Sequence, residues 1–215
     1  MEYNKEMNAS NILNVSNYIV KNPTQYKGKW NKFFNNNNPI HIELGMGRGN
    51  FIIGMAKAYP KINFVGIELN ESQTAYAAGR LVGQNLPNLK MICMNANDLY
   101  LVFGKEVDTI YLTFSEPWPK KIDESKRFTH INYLKTYDRI FKKNKHIIMK
   151  TDNKGLFAYS LESLSQYWYS FKRVSLDLHH EEEPIPNSNI LTDFEANYQK
   201  EGNKPIYYVD AVYED

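Results

Sequence analysis

The chain has 215 residues, a net charge of +2 and one cysteine, and 42% of its residues are hydrophobic. That length supports one domain with a full core, while the lone thiol, Cys93, excludes an internal disulfide framework. No apolar run approaches the roughly 20 residues of a membrane span, and the start, Met-Glu-Tyr-Asn-Lys, lacks the basic-then-apolar pattern of a secretory signal, so a cytoplasmic protein is expected.

Residues 1–38 are polar with scattered aromatics and the basic residues Lys21, Lys27, Lys29 and Lys32. They read as a partly helical N-terminal extension ahead of a domain over 39–215. From Ile40 the pattern alternates strand and helix. Residues 40–44 form a strand, Gly45-Met46-Gly47-Arg48-Gly49 a turn, and Phe51, Ile52, Met55, Ala56 and Tyr59 one face of a helix. A second strand spans 63–68. Asn70 with Gln73 caps a helix running to about Gly83. Strands follow at 89–94 and 107–114, then a helix carrying Ile131, Leu134 and Phe141, a strand at 146–151, and a helix from Leu156 to Trp168. Residues 171–178 and 205–213 supply two last strands, with no helix of ordinary length evident between them. The pattern predicts an α/β fold, a doubly wound and mostly parallel seven-stranded sheet closed by an antiparallel C-terminal edge hairpin, with ligands at the carboxyl ends of its strands.

Three features carry chemistry. Gly45, Gly47 and Gly49 lie between a strand and a helix, where backbone can approach a ligand and amides stand free. The dinucleotide-binding fingerprint places its third glycine where this chain has Asn50. Glu43 before the turn, Glu68 at the end of the second strand and Asn95 after the third instead suit a nucleoside such as S-adenosylmethionine, with Glu68 accepting from ribose hydroxyls and Asn95 meeting adenine. Second, the apolar run 110–114 ends in Ser115-Glu116-Pro117-Trp118-Pro119-Lys120-Lys121. Two prolines around a tryptophan stop any regular element. An acid, a flat aromatic and two cations at a strand end fit a planar, partly anionic substrate such as a nucleic-acid base. Third, charge is uneven. Residues 116–150 hold ten Lys or Arg against four Asp or Glu, a net of +6, and residues 176–215 hold two against ten, a net of −8. Solvated faces account for such asymmetry; so does a basic patch that meets phosphates.

The Pro-Trp-Pro-Lys segment, with Glu-Leu-Gly-Met-Gly-Arg-Gly upstream and Lys150-Thr151-Asp152-Asn153 downstream, resembles the bacterial tRNA (guanine-N7-)-methyltransferase family from about Ile40 to Tyr213. The resemblance implies a Rossmann-like class I methyltransferase fold and methyl transfer from S-adenosylmethionine to N7 of the guanosine at position 46 in the tRNA variable loop. It implies Glu43, Gly45, Gly47, Glu68, Asn95 and Glu116 at the cofactor, with Glu116 also catalytic. It implies Lys120, Asp152, Thr192, Asp193, Phe194 and Glu195 at the substrate, and Lys121, Lys126 and Arg127 on RNA. This chain departs from the family pattern in having Glu116 and Asn95 where Asp is usual and Phe194 where Tyr is frequent. tRNA is the expected partner, a homodimer is the assembly the resemblance leans towards, and no metal is expected.

Simpler roles exist for several of these residues. Asp152 can cap the helix that follows it. Thr192-x-x-Glu195 fits a capping box. Trp118 can pack the turn or stack on a base. His179 and His180, ahead of Glu181 to Glu183, lack metal-ligand spacing and read as a solvated loop. A methyltransferase for an exocyclic amine and a non-catalytic tRNA-binding module are the competing readings. Contact with a polyanion predicts tRNA affinity that falls steeply with salt.

Overall fold

The computed structural model describes residues 9–201 and 204–214; the first eight residues, on which the signal-pattern reading rests, lie outside them. A seven-stranded sheet runs in the order β3-β2-β1-β4-β5-β7-β6. Its strands are β1 (Ile40–Leu44), β2 (Asn63–Glu68), β3 (Leu89–Cys93), β4 (Thr109–Thr113), β5 (Lys145–Thr151), β6 (Ser170–Ser175) and β7 (Tyr207–Tyr213). Strands β1 to β5 pair in parallel, and β7 runs antiparallel between β5 and β6. The expected mostly parallel sheet and C-terminal hairpin are therefore present.

Sequence explains the central strands directly. β1, β2 and β4 are buried along nearly their whole length, as strands covered on both faces must be; the middles of β2 and β4 are apolar, whereas β1 alternates as Ile-His-Ile-Glu-Leu and buries Glu43 all the same. The helices are α1 (Ala9–Val15), α2 (Trp30–Phe34), α3 (Asn50–Ala58), α4 (Glu71–Gly79), α5 (Leu99–Val102), α6 (Ile131–Tyr137), α7 (Lys154–Gln166) and α8 (Asp193–Glu201). Asn70 caps α4 by accepting from the Gln73 amide at 3.1 Å. This helix stops at Gly79 rather than near Gly83, and Gly83 lies in the following turn at a φ of +76°. The fourth strand is shorter than the apolar run 107–114, because Val107 bridges to Phe141 instead of joining the ladder.

The segment before β1 is built into this fold. Tyr18 accepts the Met91 amide through its carbonyl, and the Val20 amide returns to the Met91 carbonyl at 2.9 Å. This short parallel bridge covers the open edge of β3, which would otherwise expose unpaired backbone. Trp30 is fully buried, stacks on Phe103 at 5.2 Å and donates its indole N–H to the Val102 carbonyl. Among the described residues, no helix is long and apolar enough to cross a membrane.

A helix does occur between β6 and β7, contrary to expectation. α8 has no apolar stripe of helical period. What holds its start is polar: the Thr192 hydroxyl accepts the Glu195 amide at 3.0 Å, and the Glu195 carboxylate accepts the Thr192 amide at 2.7 Å. This is the reciprocal capping box that the spacing predicts.

Candidate active site

The strand order reverses beside β1, which lies between β2 and β4, and ligand crevices form at such a switch point. A cleft of about 930 Å³ opens there at the carboxyl ends of the strands. It contains Glu43, Gly45, Gly47, Glu68, Asn95 and Glu116, all expected at a cofactor, together with Lys126, Thr192, Asp193 and Phe194.

The glycine turn is tied to the end of β2. The Gly45 and Met46 amides donate to the Ile67 carbonyl at 2.8 and 3.1 Å. Glu68 accepts the Gly47 amide at 2.9 Å through one carboxylate oxygen and the Asn70 amide at 2.9 Å through the other. A carboxylate has about four lone-pair sites, so this bracing leaves capacity for a ribose diol. Gly47 has a φ of +53°, and nothing lies within 4 Å of where a Cβ would be; the backbone is open to a ligand. Gly49, with a φ of +75°, is needed for packing as well, since a Cβ would meet Ala77 at 3.0 Å.

Beneath the turn, Glu43 is 1% exposed. It accepts the Thr113 hydroxyl at 2.5 Å through Oε1, while its Oε2 is buried with no hydrogen-bond partner among the described residues. Burial pushes its carboxyl up to about 7, against the pull of Thr113 and Lys150. A buried acid with a spare oxygen suits a cationic ligand, and S-adenosylmethionine carries an ammonium and a sulfonium. Open amides, a diol acceptor and this acid together fit that cofactor.

Across the cleft, β4 ends at the Pro-Trp-Pro turn. Phe114 takes a φ of 50° and Trp118 one of 43°; for residues other than glycine this costs roughly 1–2 kcal/mol each. Arg127 holds the turn in place, donating from Nη2 to the Trp118 carbonyl at 2.9 Å and from Nε to the Pro117 carbonyl at 3.2 Å, with its guanidinium over the Tyr159 ring. Trp118 is half-buried, lines the cleft and carries Lys126 over its ring at 4.5 Å. It is thus a cleft wall rather than a core residue. Glu116 is exposed in the cleft.

Other expected residues lie elsewhere. Arg127, expected on RNA, has only 11% of its side chain exposed and is engaged in bracing the turn. Glu195, expected at the substrate, is fully buried. Its Oε2 accepts Lys150 Nζ at 2.6 Å, and His179 Nε2 approaches its Oε1 at 3.3 Å. Burial acts to raise its carboxyl, but His179, Lys150 and the Thr192 amide outweigh that and hold it below the usual range. His179 is therefore not simply part of a solvated loop. Asp152 is not in the cleft lining, and the residue that caps α7 is Asn153, accepting the Leu156 amide at 2.8 Å. Lys120 and Lys121 are exposed at the outer end of the Pro-Trp-Pro turn, where the short 3-10 helix Lys121–Lys126 begins. Sequence reading missed Thr113, Asn50 and Lys150. Asn50 left a local sign, as the position where the glycine pattern breaks from the dinucleotide fingerprint, and Lys150 opens the Lys-Thr-Asp-Asn motif, in which it was given no role of its own.

Comparison with known proteins agrees with this geometry. The family described as "Putative methyltransferase" matches residues 37–208. A tRNA (guanine-N(7)-)-methyltransferase of Enterococcus faecalis is 45% identical over 204 residues, covering 94% of each chain. Its namesake from Streptococcus gordonii is 41% identical over 216 residues and covers 100% of both. Among solved structures, an antibiotic-related methyltransferase aligns with a TM-score of 0.67 at 18% identity, covering 86% of this chain and 94% of that one. The 16S rRNA (adenine(1408)-N(1))-methyltransferase of Catenulisporales acidiphilia aligns at 0.64 with 12% identity, covering 87% and 93%. These two show the fold, and the full-length relatives show that the chain belongs to the tRNA (guanine-N(7)-)-methyltransferase family.

Proposed function

We propose that this protein methylates tRNA at N7 of the guanosine at position 46 in the variable loop, using S-adenosylmethionine. The observation that carries the reading is the meeting, in one cleft, of the glycine turn braced by Glu68 and the Pro-Trp-Pro turn presenting Glu116. When bound, the cofactor supplies an electrophilic methyl group on a sulfonium. Gly45, Gly47 and Glu68 hold the nucleoside portion, Asn95 meets its base, and Glu43 faces its positive charge.

Guanine N7 has an in-plane lone pair and no proton, so it needs no general base to become a nucleophile. The described residues of the cleft lining include several carboxylates and no histidine, which agrees with a reaction that needs alignment and charge compensation. Glu116 accepts from the N–H groups of the guanine edge, which fixes the base for in-line attack, and its negative charge offsets the positive charge arriving on the purine. Trp118 and Phe194 supply flat apolar surface for the base. Lys120, Lys121 and Lys126 meet phosphates. Asp152 meets the substrate from outside the cleft lining. The domain over residues 39–215 does the chemistry, the first 38 residues extend it, and the protein acts in the cytoplasm as a homodimer.

The test is to incubate tRNA with protein and labelled cofactor, digest to nucleosides and identify the product by mass and chromatography. The expected product is 7-methylguanosine. Label on an exocyclic amino group, or none in tRNA, refutes the proposal.

A further inference from the structure

One wall of the cleft comes from residues 190–197, and it is mounted on the helix that leaves the cofactor turn. Thr192, Asp193, Phe194 and Asn197 line the cleft. Around the start of α8, Ile190 packs on the core and the Phe194 ring lies 5.1 Å from that of Phe114, and the remaining ties are specific polar ones. Asn50, the first residue of α3, donates from Nδ2 to the Leu191 carbonyl at 2.9 Å and from its main-chain amide to Asp193 at 3.3 Å. Its side-chain oxygen accepts Arg80 Nη2 at 2.7 Å, and Arg80 also pairs with Asp193 at 3.5 Å and donates to the Arg48 carbonyl. One turn along α3, Gly54 leaves room for Ile190: a Cβ there would stand 2.7 Å from Ile190 Cγ2. From the sheet, Lys150 Nζ reaches the Ile190 carbonyl at 3.1 Å as well as Glu195.

These contacts join two sites that are more than 130 residues apart in sequence. Asn50 follows the glycine turn directly, so any ligand that orders the turn orders the group that holds Leu191 and Asp193. Both of its side-chain polar atoms are used in this link, which gives a physical reason for asparagine where a dinucleotide site has glycine.

We propose that Asn50 is a positioning residue that couples the cofactor turn to the substrate wall at residues 190–194, with Gly54 as the seat that lets Ile190 dock. The proposal rests on the reading that one side of the cleft takes the cofactor and the other takes a tRNA base. Cofactor bound at the turn stabilises the wall, and the wall in turn presents Phe194 and Asp193 to the tRNA. Because the link is thermodynamic, it acts in both directions.

The test compares wild type with Asn50→Ala by amide hydrogen exchange, with and without S-adenosylhomocysteine as probe. In wild type the probe slows exchange at residues 190–195 at least tenfold. In Asn50→Ala that slowing is lost, although exchange in β1 and β4 remains as slow as in wild type, and the KM for tRNA rises about tenfold with a smaller change in kcat. Gly54→Ala, which keeps every polar group and adds one methyl where Ile190 sits, gives the same two changes and serves if Asn50→Ala folds poorly. Adding Ile190→Ala to Gly54→Ala relieves the clash and restores part of the lost tRNA affinity. Wild-type coupling between probe and wall in either variant overturns the proposal. The exchange readout requires no tRNA, so a failure of the link is distinct from a failure of the methylation reading, which shows as an absent or wrong product in wild type.

Discussion

Glu43→Gln tests the buried acid beneath the glycine turn. Glu43 is buried on β1 with one oxygen satisfied by Thr113 and the other without a hydrogen-bond partner among the described residues. Burial raises its carboxyl from 4.5 to about 7. Between those values the folded protein binds a proton that the unfolded chain releases, so stability falls as pH rises through the window. Linkage over the interval from pH 5 to pH 8 gives a loss of about 2–3 kcal/mol from this residue. Glutamine cannot ionise and shows no such loss. The assay is urea denaturation of both proteins without ligand at pH 5 and pH 8. The stability difference between variant and wild type should move by about 2–3 kcal/mol in favour of the variant between the two pH values, and any constant packing difference cancels. A difference that stays flat with pH would falsify the assignment of a protonated Glu43. The same argument predicts that a cationic cofactor draws this carboxyl down, so that binding near pH 7 releases a fraction of a proton, visible as a buffer-dependent enthalpy.

Three further outcomes follow from the geometry. Glu116→Ala should lower kcat by about 10²-fold, the scale of losing one charge-stabilising group, with cofactor affinity measured separately by calorimetry; near-wild-type turnover would remove Glu116 from the chemistry. Gly66→Ala adds a Cβ 2.2 Å from Met46 Sδ, and because Met46 is itself part of the glycine turn, the variant should lose about 1–3 kcal/mol and bind cofactor more weakly, as read by melting and calorimetry. Glu195→Gln leaves Lys150 buried without its counter-charge, a loss of about 3–5 kcal/mol at neutral pH. Since the Glu195 carboxyl is held below its ordinary value of 4.5, its advantage is full above that value and fades as pH falls through the folded value, so urea midpoints of wild type and variant should converge in acid.

The strands flanking the cleft were legible as short segments rich in apolar residues and bounded by turn residues, and the acids at their ends were legible because strand ends are where such sheets bind ligands. Glu43, Glu68 and Asn95 all line the cleft for that reason. α8 was harder to read. Its capping box was visible in Thr192-x-x-Glu195, but nothing local showed that Glu195 turns inward to Lys150, 45 positions away. Arg127 looked like part of a basic run, yet it is committed to the Pro117 and Trp118 carbonyls, because a tryptophan in a left-handed conformation needs an external brace. Residues such as Asn50 and Lys150 gain their roles from partners brought near only by folding, so propensity and spacing could not assign them.

The most direct test of the central claim uses two tRNA transcripts that differ only in whether position 46 is guanosine or adenosine, each incubated with excess protein and labelled S-adenosylmethionine. The account predicts close to one methyl per molecule on the first transcript, recovered as 7-methylguanosine, and background on the second. Equal labelling of both transcripts, or label recovered as any other nucleoside, would contradict it.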